Sequence, residues 1–159
     1  MLIRLCEGYW GVEMLRGSYT ATVDAKGRLK IPAAFKALID EKYGPEFYIT
    51  SMDGQSARIY PLAEWRKIEE KLGALPSMKL AMKRLLDRTN LWGQMARMDG
   101  QGRVLVPPQL REAAGVRGEV KVLGYLHYMD VWNPERFMEH LEQDPLTSED
   151  LETLSGLNI

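Results

Sequence analysis

The chain has 159 residues, 45% of them apolar, enough to build a core in one domain or in two small units packed together. Lys and Arg number 21 against 22 Asp and Glu, a formal net charge of −1, which excludes a bulk polycation and leaves any nucleic-acid surface to local clustering. A single cysteine, Cys6, excludes an intrachain disulfide, and no Cys/His spacing suits zinc. No apolar run reaches the roughly 18 residues of a membrane span. Residues 1–13 lack the apolar stretch of a signal peptide, being interrupted by Arg4, Glu7, Gly8, Gly11 and Glu13. A cytoplasmic, reducing location with no membrane partner is the expectation.

Along the chain, Tyr19, Ala21 and Val23 alternate with Thr20 and Thr22 as in a half-buried strand. Leu29 and Ile31 resume that alternation after a turn, which predicts a hairpin. Pro32 suits the first position of a helix carrying Phe35, Leu38 and Ile39, where its missing N–H is not needed. Residues 47–50 and 58–60 read as strands around the turn signal Asp53-Gly54. Residues 63–72 and 79–88 have helical periodicity, broken near Gly73 and Pro76, and are read as packing and subunit-contact helices. Strands at 95–98 and 104–106, a helix over 108–114 stopped by Gly115, and strands at 119–123 and 128–132 complete the pattern.

That order of elements occurs twice because the chain is internally repeated. Asp24-Ala-Lys-Gly-Arg28-Leu-Lys-Ile-Pro32 matches Asp99-Gly-Gln-Gly-Arg103-Val-Leu-Val-Pro107 without a gap at an offset of 75. Further on, the strand-to-helix segment 59–65 resembles 131–137 at an offset of 72. The organisation inferred is an N-terminal extension over 1–13, a first unit over 14–73, a connecting helix over 74–90, a second unit over 91–143 and an acidic tail over 144–159.

Charge is segregated along this plan. Residues 14–45 carry six basic side chains, Arg16, Lys26, Arg28, Lys30, Lys36 and Lys42, against three acidic ones. Residues 133–159 carry Arg136 alone against seven carboxylates. The first copy of the repeated turn sits in the basic part. Asp24 and Asp99 can accept backbone N–H bonds two residues on, and Gly27 and Gly102 can take the positive φ of the reversal. Neither need explains an arginine straight after the glycine in both copies. Arg28 and Arg103 can pair with the aspartate of their own turn, an exposed pair of small energetic value. A carboxylate that holds one edge of a guanidinium also leaves the other donors aimed outward, toward phosphate or guanine O6/N7. Lys26, Lys30 and Arg16 add charge suited to backbone contacts. The second turn carries Gln101 and Leu105 in place of Lys26 and Lys30, so the halves are expected to be unequal, the first binding phosphate more strongly.

The run Met14-Leu-Arg-Gly-Ser-Tyr-Thr-Ala-Thr-Val-Asp-Ala-Lys-Gly-Arg28, with its partner motif at 99–103, resembles the MraZ family of the SpoVT–AbrB superfamily from Met14 to about Gln143. The resemblance implies an α+β, β-rich fold in which two tandem swapped-hairpin units form a pseudo-dimeric, barrel-like core with flanking helices. It also implies a ring-shaped homo-oligomer, associated with the nucleoid, that binds short direct repeats in double-stranded DNA. Family members act on the promoter of the division and cell-wall gene cluster, commonly as repressors. By motif position, the DNA contacts it implies are Arg28 and Arg103, with Lys26 beside Arg28. The family opening falls at Met14, so residues 1–13 precede it and Met14 is an alternative start.

Other classes find less support. An enzyme would rest on His127, His140 and scattered carboxylates, with no nucleophile elbow, zinc-protease or P-loop pattern. Neither a metal, a cofactor nor a small-molecule substrate is expected, because clusters such as Glu149-Asp150 lack a glycine-punctuated cation loop. An interaction module would use Met78, Met82, Trp65 and Trp92 as contact surface, but Met or Trp at such spacing is more often core, which puts that reading second. An antitoxin-like autorepressor would hold its partner on a disordered acidic tail, against which the duplication and the helix-capable 147–151 run both argue.

Overall fold

The structure, a computed structural model, describes residues 13–75 and 79–159. Cys6, Pro76, Met78 and residues 1–12 of the extension lie outside it. In chain order the described elements are β1 (Ser18–Val23), β2 (Arg28–Lys30), α1 (Ala33–Lys42), β3 (Glu46–Thr50), β4 (Ala57–Pro61) and α2 (Leu62–Gly73). There follow α3 (Leu80–Leu91), β5 (Gln94–Arg97), β6 (Arg103–Leu105), α4 (Pro108–Ala114), β7 (Gly118–Gly124), β8 (Met129–Trp132), α5 (Pro134–Gln143) and α6 (Ser148–Ser155).

The eight strands form one antiparallel sheet in the order β5-β3-β4-β8-β7-β1-β2-β6, nearly closed into a barrel. Local pairing within the predicted first hairpin is limited to Val23↔Leu29. Instead β1 runs beside β7 of the second copy over six residue pairs, Ser18↔Leu123 to Val23↔Gly118. Its counterpart β5 runs beside β3 of the first copy. The units are therefore swapped: each copy's opening strand completes the other copy's sheet.

Two ladders pair a strand with its own counterpart, β2 with β6 and β4 with β8. They are centred on Leu29↔Val104 and Arg58↔Asp130. Those pairs are related by the repeat offsets of 75 and 72, so a pseudo-twofold axis passes through both. Perfect symmetry at the second crossing would set like against like; this chain places arginine opposite aspartate. Asp130 is 3% exposed, and burial pushes its carboxyl up from the ordinary range. Trp132 Nε1 donates to its Oδ2 at 2.9 Å.

Inside the barrel, period-2 alternation aims Val23, Leu29, Ile49, Ile59, Val104, Val120, Val122 and Val131 at one core, each buried. Phe35 and Ile39 of α1 and Leu110 and Ala114 of α4 join that core from symmetric positions. Pro32 and Pro107 are the N-caps of α1 and α4, so the first helix starts one residue later than the proline position suggests. Gly115, at φ +67°, ends α4 in the left-handed conformation. Trp65 is buried at 5% exposed, stacked on Tyr48 with ring centroids 4.7 Å apart, and Trp92 packs on Gly54. Both tryptophans thus serve the interior and not a contact surface. His127 lies half-exposed in the β7–β8 turn.

Candidate nucleic-acid interface

The repeated turns are built by their own side chains. Asp24 Oδ1 accepts from the backbone N–H of Lys26 at 3.0 Å and of Arg28 at 2.9 Å, while Oδ2 accepts from Arg28 Nε at 2.8 Å. In the second copy Asp99 Oδ1 accepts from Gln101 N at 2.9 Å and Arg103 N at 3.0 Å, and Oδ2 from Arg103 Nε at 2.9 Å. Gly27 and Gly102 sit at φ +86° and +76°, where a side chain would be strained. The Arg28 backbone N–H, supported by its guanidinium, holds the Asp24 carboxyl below its ordinary value; Arg103 does the same for Asp99. Both aspartates therefore stay ionised and keep their arginines oriented at neutral pH.

Only Nε of each arginine is engaged, and the two Nη groups have no hydrogen-bond partner among the described residues. Alternation along β2 and β6 buries Leu29 and Val104 and puts Arg28, Lys30, Arg103 and Leu105 on the outer face of a two-stranded ribbon. Arg28 lies opposite Leu105 and Lys30 opposite Arg103. By ladder geometry the two arginines are diagonal neighbours, about 8 Å apart at Cα. A ribbon of this kind is narrow enough to enter the major groove of B-DNA.

The sequence-predicted residues are brought together in a partly different grouping. Lys26 and Arg28 share the first turn, with the Lys26 side chain exposed. Lys30 crosses to the second turn, where its ammonium donates to the Gln101 carbonyl oxygen. The cationic shortfall that the sequence assigns to the second turn is thus partly made up by the first copy. Arg16 stands apart, beyond the far end of β1, roughly 20 Å from the turn by strand rise, and pairs with Glu13 at 3.5 Å.

Each turn is also closed by the other copy. Ile31 N donates to Gly102 O and Val106 N donates to Gly27 O, both at 3.0 Å. The Arg111 guanidinium lies over Gly27, where an added Cβ would collide with it, and the Lys36 stem lies over Gly102, 3.0 Å from such a Cβ. Lys36 and Arg111 are themselves repeat equivalents at the offset of 75. That pair of basic residues, one on each helix after the turn, was the available signal for two side chains that motif matching passes over.

Among the described residues no group of three or more His, Cys, Asp or Glu side chains could hold a metal ion, and no helix is long and apolar enough to cross a membrane. Comparison with known proteins matches residues 14–88 and 94–155 to the family described as "MraZ protein, putative antitoxin-like". The chain is 53% identical to the transcriptional regulator MraZ of Acidobacterium capsulatum over 146 residues, covering 92% of this chain and all of that protein. It is 48% identical to the transcriptional regulator MraZ of Koribacter versatilis and 36% identical to that of a Thermoanaerobacter strain, again over 92% of this chain and the whole of each relative. Swapped tandem units, a doubled Asp-x-x-Gly-Arg turn and these matches agree: the chain belongs to the MraZ family.

Proposed function

We propose that this chain is a sequence-specific, double-stranded-DNA-binding transcriptional regulator. It acts as a repressor of the division and cell-wall gene cluster promoter, within the nucleoid, and engages short direct repeats as a ring-shaped homo-oligomer. The carrying observation is the β2–β6 ribbon, which presents two aspartate-pinned guanidiniums on one face, their Nη donors unengaged among the described residues. Pinning through Nε restricts the rotamers of each arginine before DNA arrives, so less freedom is lost on bidentate contact with a base edge or a phosphate. Lys26 and Lys30 supply phosphate contacts beside them, and Gln101, exposed at the second turn, can reach a base edge. Arg16 serves only DNA that extends well past the ribbon.

Assembly has support in the apolar side chains that one chain leaves uncovered. Met138 of α5 is 58% exposed and Leu141 47%, and Leu91 and Met95 at the α3–β5 junction exceed half exposure. The tail is helical, α6 being fixed by a Thr147/Asp150 capping box, which favours a packing role over the disordered capture arm of an antitoxin.

The test is a mobility-shift titration against the promoter DNA upstream of the chain's own gene, with scrambled DNA and the Arg28→Ala/Arg103→Ala double variant as controls. A specific shift that the double variant abolishes, weakening about tenfold or more between roughly 50 and 200 mM salt, is the expected result. A folded, assembled chain that gives no shift at low salt, or a flat salt response, would overturn the proposal. Native mass spectrometry of the same sample reads the ring, and a monomer at working concentration would remove that part.

A further inference from the structure

We infer that each turn's DNA-contacting surface is composite, and that Arg111, supplied by the second copy, is a phosphate-contacting residue of the first turn. This rests on the DNA-binding function proposed above and adds residues that the turn motif does not contain.

Arg111 repeats the arrangement of Arg28 with a different anchor. Its Nε donates to the Val106 carbonyl oxygen at 2.9 Å, and among the described residues its two Nη groups have no hydrogen-bond or ion-pair partner. The guanidinium lies on the bare backbone of Gly27, between Lys26 and Arg28 in sequence. Two guanidiniums, each held by Nε, therefore flank one turn. A glycine is required beneath Arg111 for two reasons: the positive φ, and the space the guanidinium occupies.

Beside Arg111 opens a cleft of about 240 Å³ lined by Pro108, Arg111, Glu112 and Arg117. Neither arginine has a salt bridge among the described residues, so the wall is cationic despite Glu112. Duplex DNA seated on the outer face of the ribbon carries phosphates on both sides of the groove it enters. A phosphate flanking the Arg28 contact would fall toward this cleft. Arg111 is the side chain there that the protein has already oriented.

The second turn has a weaker version. Lys36 takes the place of Arg111 over Gly102, but its ammonium is paired with Asp40 one helical turn on. The matching position after Arg111 is Gly115, which has no charge to offer it. Inequality between the halves thus comes from what each copy lends to the other as well as from Gln101 and Leu105.

The experiment titrates a labelled duplex spanning the promoter upstream of the gene with the full chain, comparing wild type, Arg111→Gln, Arg111→Lys and Lys36→Gln over a salt series. Arg111→Gln keeps a stem over Gly27 without charge. It is expected to weaken binding about tenfold and to flatten the log–log salt slope by about one per engaged turn. Arg111→Lys should regain most of the slope, and Lys36→Gln should change it less than Arg111→Gln does. Wild-type affinity and slope in folded Arg111→Gln would overturn the inference, as would a loss of affinity with the slope unchanged, which marks a structural role only. If Arg111→Gln does not fold, Arg111→Met, whose uncharged stem can also cover Gly27, carries the test, and an unchanged slope there overturns the inference. Wild-type protein that fails to bind at low salt overturns the DNA-binding function itself, an outcome separate from these.

Discussion

The two Asp-x-x-Gly-Arg turns share one backbone and differ in their neighbours. Their aspartate-to-arginine hydrogen bonds agree to within 0.1 Å, and their glycines differ by ten degrees, φ +86° against +76°. Yet the first turn holds Lys26 and Arg28 under an Arg111 that has no ion-pair partner among the described residues, while the second holds Arg103 beside a Lys30 borrowed from the first copy and a Lys36 engaged by Asp40. Turn geometry follows from a few residues in a row; turn chemistry follows from the partner strand and helix. Duplication thus preserves a scaffold while its charge is free to diverge.

The largest expected difference is in DNA binding. Loss of one base- or phosphate-contacting arginine costs about 1–3 kcal/mol. Arg28→Ala should fall at the upper end of that range and Arg103→Ala at the lower, read by anisotropy on the promoter duplex at fixed salt. Equal losses would mean that Lys30 and Lys36 compensate the second turn fully. Next comes stability. Gly27→Ala and Gly102→Ala each force a side chain into the left-handed region at about 1–2 kcal/mol. Gly27→Ala must also displace Arg111 from its bond to Val106, whereas Gly102→Ala meets only the flexible Lys36 stem. Urea unfolding should therefore rank Gly27→Ala as the less stable, and the reverse order would place Arg111 away from the turn.

The smallest expected difference is in the carboxyl titrations. Asp24 and Asp99 are both held below the ordinary 3.8, chiefly by the backbone N–H of the following arginine. A depressed folded value means that their contribution is present above 3.8 and is lost as pH falls through the folded value. Carbon-detected NMR should find both titrating below the ordinary value. Arg28→Ala should raise the Asp24 value only in part, because the backbone donor remains. A return to 3.8 would mean that the guanidinium and not the backbone dominates.

Much of this protein is written locally. The alternation of Tyr19, Ala21 and Val23, the proline starts of α1 and α4, and the Gly115 stop all express short-range rules of side-chain period and backbone φ, and each is found near its expected place. The repeat at an offset of 75 needed only identity along the chain. Trp65 is buried, as aromatic residues at such spacing more often are, but spacing does not tell that Tyr48 and Tyr60 are the neighbours that cover it. The hairpin of β1 and β2 was legible as two strands and a turn, but not as strands whose main partners lie in the other copy.

What the sequence determined by itself is the pair of units, their turn geometry and the aspartate–arginine pair within each turn, because hydrogen bonds across two to four residues are set by neighbours in the chain. What only the tertiary structure decided is which copy's lysine and arginine complete each turn. Strand pairing across some 75 residues is set by burying Leu29 against Val104 and Val23 beside β7. No local rule of period or capping contains that choice of partner.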